Sequence, residues 1–354
     1  MESRLIQNSR VLVTGGAGFI GSNLCETLLN QNNYVVCLDD FSTGHRHNLT
    51  EFSGHRNFQL IEGDIRNYKD CKKAVAGMEY VLHHAALGSV PRSIKNPVLT
   101  NEVNVGGFVN MMFAAKEESV KRFVYASSSA VYGDSLELPK VEHQIGKPLS
   151  PYAITKLVNE VYARNFSELY GLETIGLRYF NVFGRRQDPM GDYAAVIPKF
   201  IQKLNRRESP QINGDGCHSR DFTYIDNVIQ VVQLAALLST ETIRKRRSLY
   251  MKRRNGLESR TSDDSVLSEV FNVAHGERTD LNKLVEILNK NLSLWDDRIS
   301  EVPVLYGPNR LGDIAHSLAD ITKAKEVLGY EPEMKVQLGL EKTCHWYCYG
   351  AQKD

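Results

Sequence analysis

The chain has 354 residues, of which 42% are hydrophobic and 24% charged, with a formal net charge of +1. That length can bury a large core and suggests two to three domain-sized units. The near-neutral balance excludes a global field for nucleic acid or membranes, and no apolar run is long enough to predict a transmembrane helix.

In chain order, the first element is an apolar strand at 11–14 that breaks into three spaced glycines, Gly15, Gly18 and Gly21. A helix-periodic segment opens at Phe19 and Ile20 and runs to 29. The first glycine permits a tight turn, the second lets backbone N–H groups approach a pyrophosphate, and the third lets helix and strand pack closely. The helix N-terminus then presents its positive dipole end to the anion. A second strand at 34–38 ends at Asp39, 18 residues after Gly21. A carboxylate there hydrogen-bonds the adenosine ribose and repels a 2′-phosphate, which favours NAD over NADP, although His45 and Arg46 follow closely. A third strand at 58–61 runs into Asp64 and Ile65, placed to meet the adenine edge. Asp64 also reads as a simple loop or cap residue.

Further strands are expected at 80–83, 122–126 and 174–178, with long helices over 98–118 and 152–169. This alternation predicts an α/β fold, a doubly wound parallel Rossmann-type sheet, with residues 1–180 as the NAD-binding domain. Beyond residue 180 the alternation weakens. Helices at 194–205 and 227–238 and short strands at 211–212 and 270–273 predict a smaller mixed α/β substrate lobe over 181–354. The chain is free to cross between the lobes.

Residues 241–265 form a basic and polar insertion, with seven basic residues among the eleven from Arg244 to Arg254. It reads as a solvated surface insertion, with an acidic-partner or nucleic-acid patch as the alternative. Six cysteines lack any Cys-x-x-Cys pair. Cys344, His345 and Cys348 are too few for a closed zinc site, so no metal is expected. Reduced thiols and a polar N-terminus without signal-peptide character predict a cytoplasmic protein.

The chemistry concentrates in a serine cluster at 127–129 and in Tyr152 and Lys156. Tyr and Lys at i and i+4 share one helix face, about 6 Å apart. An ammonium beside a phenol favours the phenolate, so Tyr152 is expected to titrate below its ordinary value and act as a general base on an alcohol. A serine at the end of the fifth strand can bond the same oxygen.

The glycine spacing G-x-x-G-x-x-G, the strand-end acid, the serine cluster and the Tyr/Lys pair, in this order, make the chain resemble the extended short-chain dehydrogenase/reductase family. The runs 85–93, 176–184, 212–216, 219–222 and 310–317 make it similar to the nucleotide-sugar epimerase branch, in particular to bacterial UDP-N-acetylglucosamine 4-epimerases. The resemblance implies that Ala85, Ala86, Asn104, Tyr179 and Val182 line NAD. It implies that Asn181, Arg220 and Arg310 hold the diphosphate. Ile212, Asn213 and Asp313 would then meet uridine, and Ala195 and Val196 underlie it. Ser128 matches the catalytic serine, with Ser129 its neighbour and rival.

The implied reaction is C4 epimerisation of a UDP-hexose through a transient 4-keto sugar that turns over while UDP stays anchored. Ser317 stands where glucose-restricted relatives carry a tyrosine, and Gly88 and Ser89 are also small. Room for an N-acetyl group points to UDP-GlcNAc and UDP-GalNAc. The rivals are UDP-glucose/UDP-galactose or UDP-(N-acetyl)hexuronate 4-epimerisation, UDP-glucuronate decarboxylation, and non-catalytic NAD binding. A 4,6-dehydratase lacks its acid–base pair, because Ser129 and Ala130 occupy those places. The resemblance also implies a homodimer, joined through a four-helix bundle of the helices at 98–118 and 152–169.

Overall fold

Each apolar run of the first half becomes a strand of one sheet. A computed structural model describes residues 4–190, 194–255, 266–308 and 315–350. The first half runs β1 (Arg10–Thr14), α1 (Phe19–Asn30), β2 (Tyr34–Asp39), β3 (Phe58–Glu62), α2 (Tyr68–Val75) and β4 (Tyr80–His83). It continues through α3 (Val90–Lys95), α4 (Pro97–Asn101), α5 (Phe108–Glu117), β5 (Arg122–Ser128), α6 (Pro151–Tyr170) and β6 (Thr174–Tyr179). The helix expected over 98–118 is α4 and α5 joined by a π-helical stretch at Glu102–Gly107.

The second half contributes β7 (Val182–Phe183), α7 (Val196–Asn205), β8 (Gln211–Asn213), β9 (Ser219–Arg220) and β10 (Thr223–Tyr224). It ends with α8 (Ile225–Leu237), α9 (Thr240–Asn255), β11 (Ser268–Val273), β12 (Thr279–Asp280), α10 (Leu281–Leu292), β13 (Leu305–Gly307) and α11 (Val336–Gly350).

The central sheet has the order β11-β6-β5-β4-β1-β2-β3 and is parallel throughout. Its strands are apolar runs rather than alternating ones because helices cover both faces. Leu24 and Leu28 of α1 pack with Val228 and Val232 of α8 in one core cluster. Met111 and Met112 of α5 pack with Ala163 and Phe166 of α6 in the other. The strand order reverses beside β1, which opens a crevice at the carboxyl ends of the strands.

Two placements differ from the sequence reading. The strand expected at 270–273 within the smaller lobe is β11, which pairs with β6 as the seventh strand of the main sheet. Local periodicity reports a strand but not its partner. The basic run, read as solvated, lies in α9 with Ile243 and Tyr250 buried. Arg247 pairs with Glu269 of β11 at 2.8 Å, Arg253 with Glu326 at 3.1 Å and Arg254 with Asp320 at 3.8 Å. These three basic side chains are thus paired within the fold, while Lys245, Lys252, Arg253 and Arg254 remain exposed. The rest of the insertion, 256–265, lies outside the described residues.

Among the described residues no helix is long and apolar enough to cross a membrane. None of them forms a cluster of three or more His, Cys, Asp or Glu side chains suited to a metal ion.

Candidate active site

The crevice beside β1 is a cleft of about 530 Å³ floored by Gly15, Gly18, Phe19, Ile20 and Gly21. Gly15 has φ +68°, and a Cβ on it would lie 2.7 Å from the backbone nitrogen of Ala85. A Cβ on Gly21 would lie 2.1 Å from the carbonyl oxygen of Gly15. Helix α1 starts on Gly18 without a side-chain cap and with no acidic residue in its first turn. Its leading N–H groups are thus left for an anion, so the cradle fits a dinucleotide pyrophosphate.

Asp39 lines the same cleft and is largely committed to the backbone. Its Oδ2 accepts from Ala17 N at 2.8 Å and its Oδ1 from Phe41 N at 2.9 Å. Burial pushes its carboxyl above the usual range, and these two N–H groups act in the opposite direction. Arg46 is engaged elsewhere, 2.6 Å from Glu62 and stacked 4.1 Å from the Phe41 ring centre.

Ile65, Ala85, Ala86, Tyr179 and Val182 line the cleft as well. Asp64 is not among its lining residues; Arg66 holds its carboxylate at 2.6 Å. Asn104 acts from behind. It accepts from Leu87 N at 2.7 Å, donates to Leu87 O at 3.1 Å and to Thr155 Oγ1 at 3.2 Å, and so fixes the cleft wall.

At the far end stand Tyr152 and Lys156. Both are on α6, whose start is set by Ser150, which accepts from Ala153 N at 3.1 Å, and by Pro151 in the first turn. The Lys156 ammonium lies 5.9 Å from the Tyr152 ring centre and donates to Ala126 O at 2.8 Å. Ser128, the last residue of β5, lines the cleft beside Tyr152 and draws its phenol pKa down. Ser129 opens the 3-10 turn that follows and is not a lining residue.

The electrostatics differ from the expectation of a depressed tyrosine. Burial pushes the Tyr152 phenol up, while the Ser128 hydrogen bond draws it down. Burial likewise pushes the Lys156 ammonium down to about 8, against the attraction of Glu160. In the protein alone, burial in a low-dielectric wall sets the direction of both shifts.

A second cleft of about 480 Å³ shares Asn181, Val182, Gln187 and Ala194 with the first. Ala195, Val196, Ile212, Asn213 and Arg220 line it. Arg220 Nη1 donates to the carbonyls of Ser219 and Ala315, both at 3.1 Å. Asn181 has φ +35° and donates to Asp221 O at 3.0 Å. Ser317 donates its N–H to Ser219 O at 3.0 Å, next to Arg220, and does not line either cleft. Arg310 and Asp313 lie outside the described residues. Gly88 and Ser89 line the first cleft. A Cβ on Gly88 would meet nothing within 4 Å, and Ser89, with φ +94°, caps α3 by accepting from Arg92 N at 3.2 Å.

Sequence reasoning missed several lining residues. His84 and Arg92 flank or lie within the run 85–93, and Gln187 and Asp188 follow the run 176–184, so proximity to a motif was a usable signal. Leu281, at the start of α10, carried no signal. Ser89, Asn181 and Arg186 all hold left-handed backbone around the clefts. Such conformations cluster at functional sites and are invisible to residue type.

Residues 11–246 match the family described as NAD dependent epimerase/dehydratase family. A UDP-glucose 4-epimerase of Mycolicibacterium smegmatis is 33% identical over 341 residues, covering 96% of this chain and 98% of the relative. Among solved structures, a UDP-N-acetylglucosamine 4-epimerase from Methanobrevibacter ruminantium M1, in complex with UDP-N-acetylmuramic acid, is 37% identical with a TM-score of 0.84. It covers 98% of this chain and 100% of its own. A UDP-glucuronic acid 4-epimerase from Bacillus cereus, in complex with UDP-glucuronic acid and NAD, is 27% identical with a TM-score of 0.77, covering 96% of both chains.

Proposed function

The chain belongs to the NAD dependent epimerase/dehydratase family, as a UDP-sugar 4-epimerase, and we propose that its substrates are UDP-GlcNAc and UDP-GalNAc. The observation that carries this choice is the open wall at Gly88. It lines the same cleft as Ser128 and Tyr152, and a Cβ there would meet nothing within 4 Å. Ser89 beside it is small and polar. Space for an N-acetyl group and a hydroxyl to bond it favour the acetylated hexose.

Gly15, Gly18 and Gly21 would hold the NAD pyrophosphate, and Asp39 the adenosine ribose. NAD bound there supplies a hydride acceptor that later returns the hydride, so the net redox change is zero. Tyr152, once ionised to the phenolate, takes the proton of the sugar 4-hydroxyl and later gives it back. Ser128 bonds the phenol oxygen and lowers the cost of its ionisation. Lys156 keeps positive charge beside the phenol. Arg220 and Asn181 grip the diphosphate, since a guanidinium binds such an oxyanion in bidentate fashion.

The test is to incubate the purified protein with UDP-GlcNAc and no added NAD, and to look for UDP-GalNAc by NMR. Product formation is expected. Turnover of UDP-glucose without UDP-GlcNAc would overturn the substrate assignment.

A second reading has its own observation. Arg92 lines the cleft together with Gly88 and Ser89, and a guanidinium there suits the carboxylate of a UDP-hexuronate. Preferential epimerisation of UDP-glucuronate or its N-acetylated counterpart would favour it.

We also propose a homodimer. Val98 of α4 and Ile154 and Val161 of α6 are exposed by 67%, 50% and 63%, an apolar surface that a second copy would cover. Analytical ultracentrifugation showing a monomer at micromolar concentration would exclude it.

A further inference from the structure

Three consecutive residues at the end of β5 are each tied to one face of α6. Ser128 meets Tyr152, the Ala126 carbonyl accepts from Lys156 at 2.8 Å, and Ser127 Oγ donates to Glu160 Oε1 at 2.5 Å. Tyr152, Lys156 and Glu160 are four residues apart, so they line up along the helix turn by turn. Glu160 is buried. Arg178 of β6 grips it with Nε to Oε1 at 2.9 Å and Nη2 to Oε2 at 2.7 Å. Arg178 is itself held by Glu142 O at 2.9 Å and lies 5.0 Å from the Tyr132 ring centre. Ser127 and Arg178 are register partners across β5 and β6. The carboxylate of Glu160 thus joins α6, β5 and β6 at one point directly behind the catalytic pair.

We propose that Glu160 is a positioning residue for the epimerisation, one turn beyond the Tyr152/Lys156 pair. It locks the end of β5, and with it Ser128, against α6, and its charge keeps Lys156 cationic. The proposal rests on Tyr152 and Lys156 being the reacting pair. Burial costs the Lys156 ammonium its proton more readily, down to about 8, and Glu160 is the group that opposes this. The other titratable groups around Lys156 do not replace it. His83 and His84, at and beyond the end of β4, are held neutral, first by burial and then by the lysine charge. Tyr152 on α6 is neutral at rest. Arg178 is turned to Glu160. A buried carboxylate with two tasks also accounts for a strong ion pair so near a site that needs only Tyr, Lys and Ser for its chemistry.

The experiment is competitive acetylation of the whole protein with acetic anhydride across pH 6 to 10, with the Lys156 peptide quantified by mass spectrometry. This readout needs no turnover. In Glu160→Gln the midpoint of Lys156 labelling is expected to fall by about one pH unit. The alkaline limb of kcat should move with it. Glu160→Asp, which keeps the charge, should restore the midpoint. If Glu160→Gln does not fold because Arg178 is left unpaired, Glu160→Gln with Arg178→Gln removes both charges and is expected to show a smaller fall, because the guanidinium that opposes the ammonium is lost as well. An unchanged midpoint in either folded variant overturns the proposal. So does a kcat loss that is equal at every pH. If the wild type epimerises no UDP-sugar, the functional reading fails, while the labelling midpoint still decides the role of Glu160.

Discussion

The two clefts meet at Asn181 and Val182 but are built in opposite ways. The cofactor cleft draws on the ends of adjacent parallel strands, β1, β2, β4, β5 and β6, each followed at once by a turn that carries its lining residue. The second cleft gathers Ala195, Ile212, Arg220 and Leu281 from short strands and helix starts scattered over almost ninety residues. One is a property of sheet topology, where strand ends must converge. The other depends on two-residue strands and single side-chain bonds. On the proposed reading, rigid sheet architecture would hold the cofactor that stays, and short strands and single side-chain bonds the substrate that is exchanged.

The sharpest way to break this division is Tyr152→Phe, which should lower kcat about 10²- to 10⁴-fold while leaving bound NAD and UDP affinity near wild type. A stopped assay with UDP-GlcNAc and calorimetry with UDP would separate the two. Next comes Gly15→Ala. Its Cβ would collide with the Ala85 backbone at a positive φ, so a stability loss of about 2 kcal/mol or more and a drop in copurified NAD are expected. If its NAD content matched wild type, the glycine cradle would not be the cofactor floor.

Arg220→Met probes the other cleft. UDP should bind about 10- to 100-fold more weakly, as for a lost charge-assisted bond, with NAD content unaltered. Loss of both ligands together would erase the division between the clefts.

Asp221 sharpens it through pH. This carboxylate is fully buried and accepts from His275 N at 3.0 Å and from Gly276 N and Ala319 N at 3.2 Å, tying the segments around Arg220 together. Burial raises its pKa to about 7 from the ordinary 3.8. Its stabilising contribution is therefore complete below about 4 and is lost as pH rises through about 7. Thermal stability should decline over that window, and Asp221→Asn should flatten the decline; an unchanged slope would show that another group titrates.

The smallest effect belongs to α9. Arg253→Ala removes a pair with Glu326 in which the arginine is 66% exposed. It should change stability by no more than about 0.5 kcal/mol and leave activity intact.

The cofactor half was legible because its signals are local. The glycine spacing, Asp39 and the Tyr152/Lys156 interval each sit within one turn or one helix, and helical periodicity brought the last two together unaided. Asp64 read either way in the sequence, and in the fold the arginine two residues on holds its carboxylate. The upward direction of the Tyr152 shift in the protein alone was not legible, because neighbour charge can be read from spacing, whereas desolvation depends on what covers the group. The basic run was unreadable as a docked helix, since its partners Glu269, Asp320 and Glu326 follow it by tens of residues.

What the sequence by itself determined is the parallel strand–helix alternation, the glycine turn and the Tyr152/Lys156 juxtaposition, all consequences of short-range geometry. Tertiary structure alone decided that Ser128, and not Ser129, lines the cleft with Tyr152 and that β11 completes the sheet. It alone brought Ser127, Glu160 and Arg178 to one buried point. The reason is physical: burial and pairing between residues far apart in the chain are set by how layers pack, and no local pattern carries that information.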